Sequence, residues 1–329
     1  MEKAMDKTKK NLGKVLLAGF MAVSAVGVAH AQANFPDKPM RLIVPLAPGG
    51  GGDIVARQLA AGVSEILGQP MIVDNKPGGS TIIGTSEAAK AAPDGYTLVM
   101  ATSSHVINPS IRQLPFDAVT AFEGVSIIAT TPAMLVVPPN FPANTVPEVI
   151  ALAKAKPGEF TFGSSGIASA PHLSGELFNM RAGTDIRHVP YKGMGPALND
   201  LVGGHVTMVF SSPVSAIPLV RSGKLKAIAA TSPKRPKAFP DLPTIAETLP
   251  GYQSQIFYVI LAPKGTPKPI LEKLNQAFTK VSTSPSFADQ MIATAGEVVV
   301  GSPDDALAFI AAEVAGYKEL IKKAKIEVK

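Results

Sequence analysis

The 329-residue sequence contains no cysteine. Thiol nucleophiles, zinc ribbons and iron–sulfur clusters are therefore excluded. An oxidising compartment is not, because it permits disulfides without requiring them. Charged residues are sparse at 17% against 46% hydrophobic, a mix that buries a core and does not read as disordered. No Lys/Arg run is long enough for a nucleic-acid stripe. The densest, Lys234-Arg235-Pro236-Lys237, reads as a solvated turn, so no nucleic-acid partner is expected. Past the N-terminal segment, no apolar run reaches the roughly twenty residues of a membrane span. There is no Ser-x-x-Lys, no His-Glu-x-x-His and no histidine pair at i,i+4, so neither a metal site nor a cofactor is called for.

What is present begins at the N-terminus. Lys3, Lys7, Lys9, Lys10 and Lys14 form a basic region, Val15 to Val28 an apolar stretch, and Ala29-His30-Ala31 an A-x-A cleavage site. This is the anatomy of a secretory signal peptide over residues 1–31, with the exported mature chain starting near Gln32. The segment holds five Lys against Glu2 and Asp6, half of the chain's formal +6, so the basic balance is partly its own.

The rest alternates short strands and helices. Met40 to Pro45 is a buried-strand run, followed by Gly49-Gly50-Gly51-Gly52-Asp53 and a helix with Val55, Leu59, Val63 and Ile66 on one face. Met71-Ile72-Val73, a helix from Ile82 to Ala91 and a strand from Thr97 to Thr102 complete β-α-β-α-β, the pattern of a parallel sheet. The pattern recurs in strands Phe160 to Phe162, Ile186 to Val189, Val206 to Phe210 and Leu225 to Thr231, expected as a second parallel set. Two apolar stretches, Val125 to Val137 and Ile256 to Ala262, read as connections between lobes. A helix at Ile270 to Val281, a strand at Glu297 to Val300 and a helix from Pro303 return to the first lobe. The expected domains are 32–131 with 257–329, and 132–256 inserted between them.

In open α/β sheets, ligands sit beyond the carboxyl ends of the strands. Here those ends carry Gly49 to Asp53, Thr102-Ser103-Ser104-His105 and Gly163-Ser164-Ser165-Gly166 with Ser169. Glycines allow close backbone approach, hydroxyls donate, and nearby helix N-termini favour anions, so a carboxylate suits the inventory. His105 and His172 are placed to line a cleft; His188 and His205 read as structural or solvated. The glycine loop is not a P-loop, since no Gly-Lys-Ser/Thr follows. Two other readings stay open on the residues alone. One is an exported serine hydrolase using Ser165 and His172, although Gly163-Ser164-Ser165-Gly166 misses the G-x-S-x-G elbow by one position. The other is a cytosolic nucleotide-binding protein, with Asp74 about twenty residues beyond the glycine loop.

An ordered set of motifs spans the mature chain: Phe35-Pro36-Asp37-Lys38-Pro39, Val44 to Gly51, Asn75-Lys76-Pro77-Gly78-Gly79, Ala92-Pro93-Asp94-Gly95-Tyr96 and Ile107-Asn108-Pro109. These continue with Pro171-His172-Leu173, His188 to Gly193, Gly223-Lys224-Leu225 and Leu261 to Pro267. The set resembles the Bug family, periplasmic binding components related to tripartite tricarboxylate transporters. The resemblance implies a two-lobed type II periplasmic-binding fold, each lobe a mostly parallel sheet flanked by helices, with two crossing segments and the ligand between. It implies a monomeric, non-enzymatic receptor that captures a small carboxylate by hinge closure. The receptor then docks transiently on membrane transporter subunits or a sensor ectodomain.

The positions it carries over are Leu46, Ala47, Pro48, Gly49 and Gly50; Thr102, Ser103 and His105; Ser164, Ser165, Gly166, Ser169 and Ala170; and Tyr191, Lys192, Gly193 and Met194. Many relatives have Thr where Gly52 stands, Trp where Phe257 stands, and Asp after the strand ending at Phe210, where Ser211-Ser212 follows. Ser211 in place of an acid points away from amino-acid ligands, toward mono- or dicarboxylates, aromatic ones included.

Overall fold

A computed structural model describes residues 35–293 and 295–324; the expected signal peptide lies outside the described residues. Among these residues no helix is long and apolar enough to cross a membrane.

The chain opens with β1 (Met40–Val44), α1 (Gly51–Leu67), β2 (Met71–Asn75), α2 (Ile82–Ala89), β3 (Thr97–Ala101) and the short α3 (Ser103–Ile107). Helix α1 forms as its spacing predicts: Val55, Leu59 and Val63 are buried, and Gly68 ends it in the left-handed conformation. Next come β4 (Phe122–Pro132), β5 (Met134–Val137), α4 (Val146–Ala155), β6 (Thr161–Ser164), α5 (Ala170–Ala182) and β7 (Arg187–Pro190). A Thr145/Glu148 capping box starts α4. Then follow α6 (Met194–Val202), β8 (Met208–Ser211), α7 (Pro213–Arg221), β9 (Lys226–Ala230) and β10 (Gln255–Pro263). The tail is α8 (Lys268–Ser282), α9 (Pro285–Ala293), β11 (Glu297–Val298) and α10 (Pro303–Ala324). Helices α3, α7 and α9 are not anticipated by the sequence reading, and β11 is shorter than expected.

Two helix-flanked mixed sheets result, ordered β11-β4-β10-β3-β1-β2 and β7-β6-β8-β5-β9. Strands β1, β2 and β3 are parallel neighbours. In the second sheet β6 is parallel to β7 and β8, but β5 runs antiparallel to both β8 and β9. The expected second parallel set is thus interrupted, because the incoming strand β5 inserts between its members. Ile43, Val99, Val259 and Ile310 share the first core; Val136, Leu198, Val209 and Ala216 share the second.

The long apolar stretch changes sheets at Ala133, between β4 and β5. The return differs from expectation: β10 lies wholly in the first sheet, so the change is made upstream, between Thr231 and Ser254. Buried Thr231 ties the passages together. Its Oγ1 accepts the Ala133 N–H at 2.7 Å and lies 2.8 Å from the Ser254 carbonyl oxygen. Its own N–H donates to the Ala133 carbonyl at 2.9 Å, and its carbonyl accepts the Ser254 N–H at 3.1 Å.

Candidate functional site

Between the carboxyl ends of the two sheets lies a cavity with about 480 Å³ of empty space, its open mouth included. The β1–α1 loop supplies Leu46, Gly50, Gly51 and Gly52. This loop is held from behind by Asp53, a buried carboxylate turned away from the cavity. Asp53 accepts the Gly49 N–H at 3.0 Å, Arg57 Nε at 3.1 Å and Asn75 Nδ2 at 3.0 Å; the same amide of Asn75 donates to the Leu46 carbonyl. Burial alone raises the Asp53 pKa, but the hydrogen bonds from Arg57, Gly49 and Asn75 outweigh it, so the group is held below its ordinary value. Gly51 is tightly placed: a Cβ there would lie 2.9 Å from both Ser212 Oγ and Tyr258 Oη, so one of them would have to shift.

Thr102, Ser103 and Ser104 enter the cavity from the end of β3. His105 does not. One residue further around a helical turn, its ring enters the core, near-parallel to Phe116 and edge-on to Phe122, with Nε2 2.7 Å from the Ala118 carbonyl. Burial lowers its pKa to about 4, which keeps it neutral.

The β6–α5 loop presents Ser165, Ser169, Ala170 and Pro171. Ser164 and Gly166 are internal struts. The Ser164 hydroxyl lies 2.6 Å from His188 Nε2 and 3.0 Å from the Gly166 carbonyl oxygen. Ser169 caps α5 by accepting the His172 N–H, and its hydroxyl donates to the Gly166 carbonyl. His172 and His188 lie with ring centres 4.0 Å apart, tilted by 32°, and His188 stacks on Phe162. Burial, and then the Arg112 charge, lowers His172 to about 4; burial, and then His172, lowers His188 to about 3.

His172 is not placed as a base for Ser165. Its Nδ1 already accepts the Ala168 N–H at 3.2 Å, so the proton sits on Nε2, which faces Glu176 at 3.6 Å. That geometry gives the hydrolase reading no support.

Met194 lines the cavity at the start of α6, but its neighbours do not. The Tyr191 hydroxyl donates to Asp200 at 2.7 Å, and the Lys192 side chain is exposed. The Lys192 carbonyl accepts the Ala47 N–H across the cleft at 3.1 Å. A Cβ on Gly193 would lie 2.9 Å from Ala47 N, and one on Gly195 2.6 Å from the Pro48 carbonyl oxygen. Ala47, Pro48 and Gly49 therefore meet Lys192 to Gly195 in a backbone-to-backbone seam. They bridge the two lobes and do not line the cavity.

Ser211 is also corrected. It pairs with Met134 in the sheet and its hydroxyl donates to the Ser212 carbonyl, so Ser212, the residue preceding α7, faces the cavity instead. Sequence reading missed Ser212, Ile256 and Tyr258. The last two share one face of β10, a period-two signal that was available. The buried Tyr258 hydroxyl donates to Ser212 Oγ at 3.4 Å; burial raises its pKa to about 12, so it stays a neutral donor.

The lining thus has seven hydroxyl side chains and no carboxylate, lysine, arginine or histidine. The N-termini of α1, α5, α6 and α7 converge on it. First-turn N–H groups without intrahelical partners, and four positive dipole ends, suit a bound anion. The apolar surfaces of Leu46, Ile256, Met194 and Pro171 suit a carbon body.

Residues 55–326 match the family described as the tripartite tricarboxylate transporter family receptor. The sequence is 33% identical to protein BugT of Bordetella pertussis over 94% of this chain and 96% of that one. The fold superposes on an R. palustris protein determined with adipate at TM-score 0.85 and 35% identity, covering 89% of this chain and 99% of that one. It superposes on MatC from Rhodopseudomonas palustris with bound malate at TM-score 0.83 and 29% identity, covering 87% and 100%.

Proposed function

This chain belongs to the tripartite tricarboxylate transporter receptor family, and on that premise we propose that it captures a small mono- or dicarboxylate, aromatic ones included, by hinge closure. It is a periplasmic solute-binding protein, not an enzyme. The proposed mobile bodies are the two lobes, one built on each sheet, swinging on the passages tied by Thr231. The ligand's carboxylate is held by helix N-termini and by hydroxyls such as Ser165 and Ser212. Its body lies against Leu46 and Ile256, and the lobes close over it through the Ala47–Lys192 seam. A ligand that contacts both lobes stabilises the closed form by its differential affinity for it.

The observation that carries the reading is a cavity at four helix N-termini whose lining bears no charged side chain. Such a site stabilises a carboxylate and offers no counter-charge to an ammonium group. Delivery of the closed form to a tripartite transporter, or to a sensor ectodomain, is the expected next step, the transporter being favoured by the family's description.

A thermal-shift panel tests the ligand class. Adipate, malate or benzoate should raise the unfolding temperature, and calorimetry should give one site per chain. Stabilisation by aspartate or glutamate alone overturns the proposal. Export is tested separately: the protein recovered from periplasm should begin near Gln32 by mass spectrometry.

A further inference from the structure

Behind the ligand cavity lies a second one, larger, with about 1360 Å³ of empty space including its mouth. Strand β10 separates the two. Successive side chains on a strand point to opposite faces: Ile256 and Tyr258 line the front cavity, whereas Gln255 lines the rear one. Phe257 packs edge-on against Phe309 of α10. Both passages between the sheets border the rear cavity, through Thr131 and Ser254. One wall is α5 of the second lobe, with Leu177 and Arg181; the other is α10 of the first, with Gly316 and Tyr317.

Gly316 stands out on that wall. It lies in the interior of a 22-residue helix. Its φ is not in the left-handed region, and a Cβ there would meet nothing within 4 Å. Glycine in a helix interior costs about 1 kcal/mol relative to alanine, and the space around this one does not require it. The passages run between the two cavities, so a rotation parting the lobes at the front would bring α5 toward α10 at the rear. Gly316 is where α10 presents no side chain to stop it.

We infer that Gly316 sets the receptor's ligand affinity from the side of the hinge opposite the ligand, by leaving room for the rear walls to approach when the cleft opens. A large side chain at this position fills the rear cavity, obstructs opening, and leaves more of the unliganded protein in the binding-competent state. Affinity rises by the inverse of the fraction that was competent before. The inference rests on the hinge-closure reading above but not on the ligand's chemical class.

Because the chain has no cysteine, cysteines introduced at exposed Glu65 on α1 and exposed Lys154 on α4 carry two spin labels cleanly. Pulsed electron-resonance distances are read on unliganded full-length mature protein, with and without Gly316→Trp. The expected result is a wild-type distribution displaced from the separation in this structure, and a Gly316→Trp distribution shifted onto it. Gly316→Ala should leave the wild-type distribution unchanged. If Gly316→Ala shifts it as far as the tryptophan does, helix propensity and not bulk is responsible, and the inference is overturned. If wild type is displaced but Gly316→Trp matches it, the inference fails alone. If wild type already sits at the closed separation, the hinge reading fails with it. Should Gly316→Trp not fold by circular dichroism, Leu177→Trp fills the cavity from the facing wall, with the same expected shift and the same overturning result.

Discussion

The carboxylate of Asp53 accepts the backbone N–H of Gly49 at 3.0 Å, so an acid four residues into the loop-and-helix turn fixes the loop from behind. An acid next to an anion site would ordinarily repel the ligand. Here Arg57 and Asn75 occupy its remaining oxygen valences, and the side chain points away from the cavity. Asp53 is therefore a scaffold for the proposed anion site and not a part of it.

Asp53→Ala should cost about 2–3 kcal/mol of unfolding free energy, because charge-assisted hydrogen bonds are lost and Arg57 and Asn75 are left unmatched. Asp53→Asn keeps part of the bonding and should fall between. The sign with pH follows from a folded pKa below the ordinary value. The stabilisation is complete above the unfolded carboxylate's value, near 3.8, and is lost as pH falls through the lower folded value. Urea denaturation at pH 7 measures the size. An Asp53→Ala protein as stable as wild type would remove the scaffold role.

The histidines give a second pH dependence at higher pH. His105 and His172 are each lowered to about 4 and His188 to about 3, with burial the leading cause. Each is neutral when folded yet binds a proton near 6.5 when unfolded, so the unfolded state binds more protons between about pH 6.5 and 4. Stability must therefore fall as pH drops through that window and level off below it. One such site contributes up to about 1.4 kcal/mol per pH unit. His172→Gln should reduce the slope of unfolding free energy against pH by about that much. Arg112 and Glu176, the charged groups beside this ring, are unchanged in the variant. An unaltered slope between pH 6 and 4.5 would show that His172 takes up its proton without unfolding.

Much of the architecture was legible because it is local. The alternation around Leu42, Val99 and Leu59 and the turns at Gly68 and Gly95 place the elements of the first lobe. The hydroxyl-rich strand ends, Thr102 to Ser104 and Ser164 to Ser169, mark the ends that meet at the cavity. What was not legible depends on parity or on distant partners. Ser211 and Ser212 differ by one residue, which on leaving a strand selects core or cavity. His105 lies one helical step past Ser104 and turns inward. The seam between Ala47 and Lys192 is invisible until two distant loops are brought together, and Tyr258 reaches α1 only through the pairing of β10 with β3.

Tyr258 and Ser212 belong to different lobes and meet at the N-terminus of α1. Tyr258→Phe removes a buried donor from the anion site while keeping the ring. Carboxylate affinity should fall about tenfold, the equivalent of roughly 1.4 kcal/mol, with little change in unfolding temperature. Ser212→Asp introduces the missing acid among neutral neighbours and should abolish carboxylate binding, whereas Ser211→Asp, behind the lining, should disturb the fold more than the ligand preference. Calorimetry against the carboxylate that stabilises wild type separates these cases. Equal binding by wild type and Ser212→Asp would place the anion elsewhere.

Gly195 tests the seam. It lies in the first turn of α6, where alanine is intrinsically the better residue, by about 1 kcal/mol at most. Yet a Cβ at this position would lie 2.6 Å from the Pro48 carbonyl oxygen of the facing loop. On the hinge-closure proposal, that contact exists only while the lobes are together. Gly195→Ala should therefore leave the unliganded protein as stable as wild type or slightly more so. Closure must then absorb an overpacked backbone contact, at about 1–3 kcal/mol, and ligand affinity should fall by roughly 5- to 150-fold. The two readouts move in opposite directions, which a simple folding defect cannot produce. Unfolding midpoints without ligand, set beside calorimetric affinities, measure both. Undiminished affinity in Gly195→Ala would mean that the ligand-bound protein does not close through the Ala47–Lys192 seam.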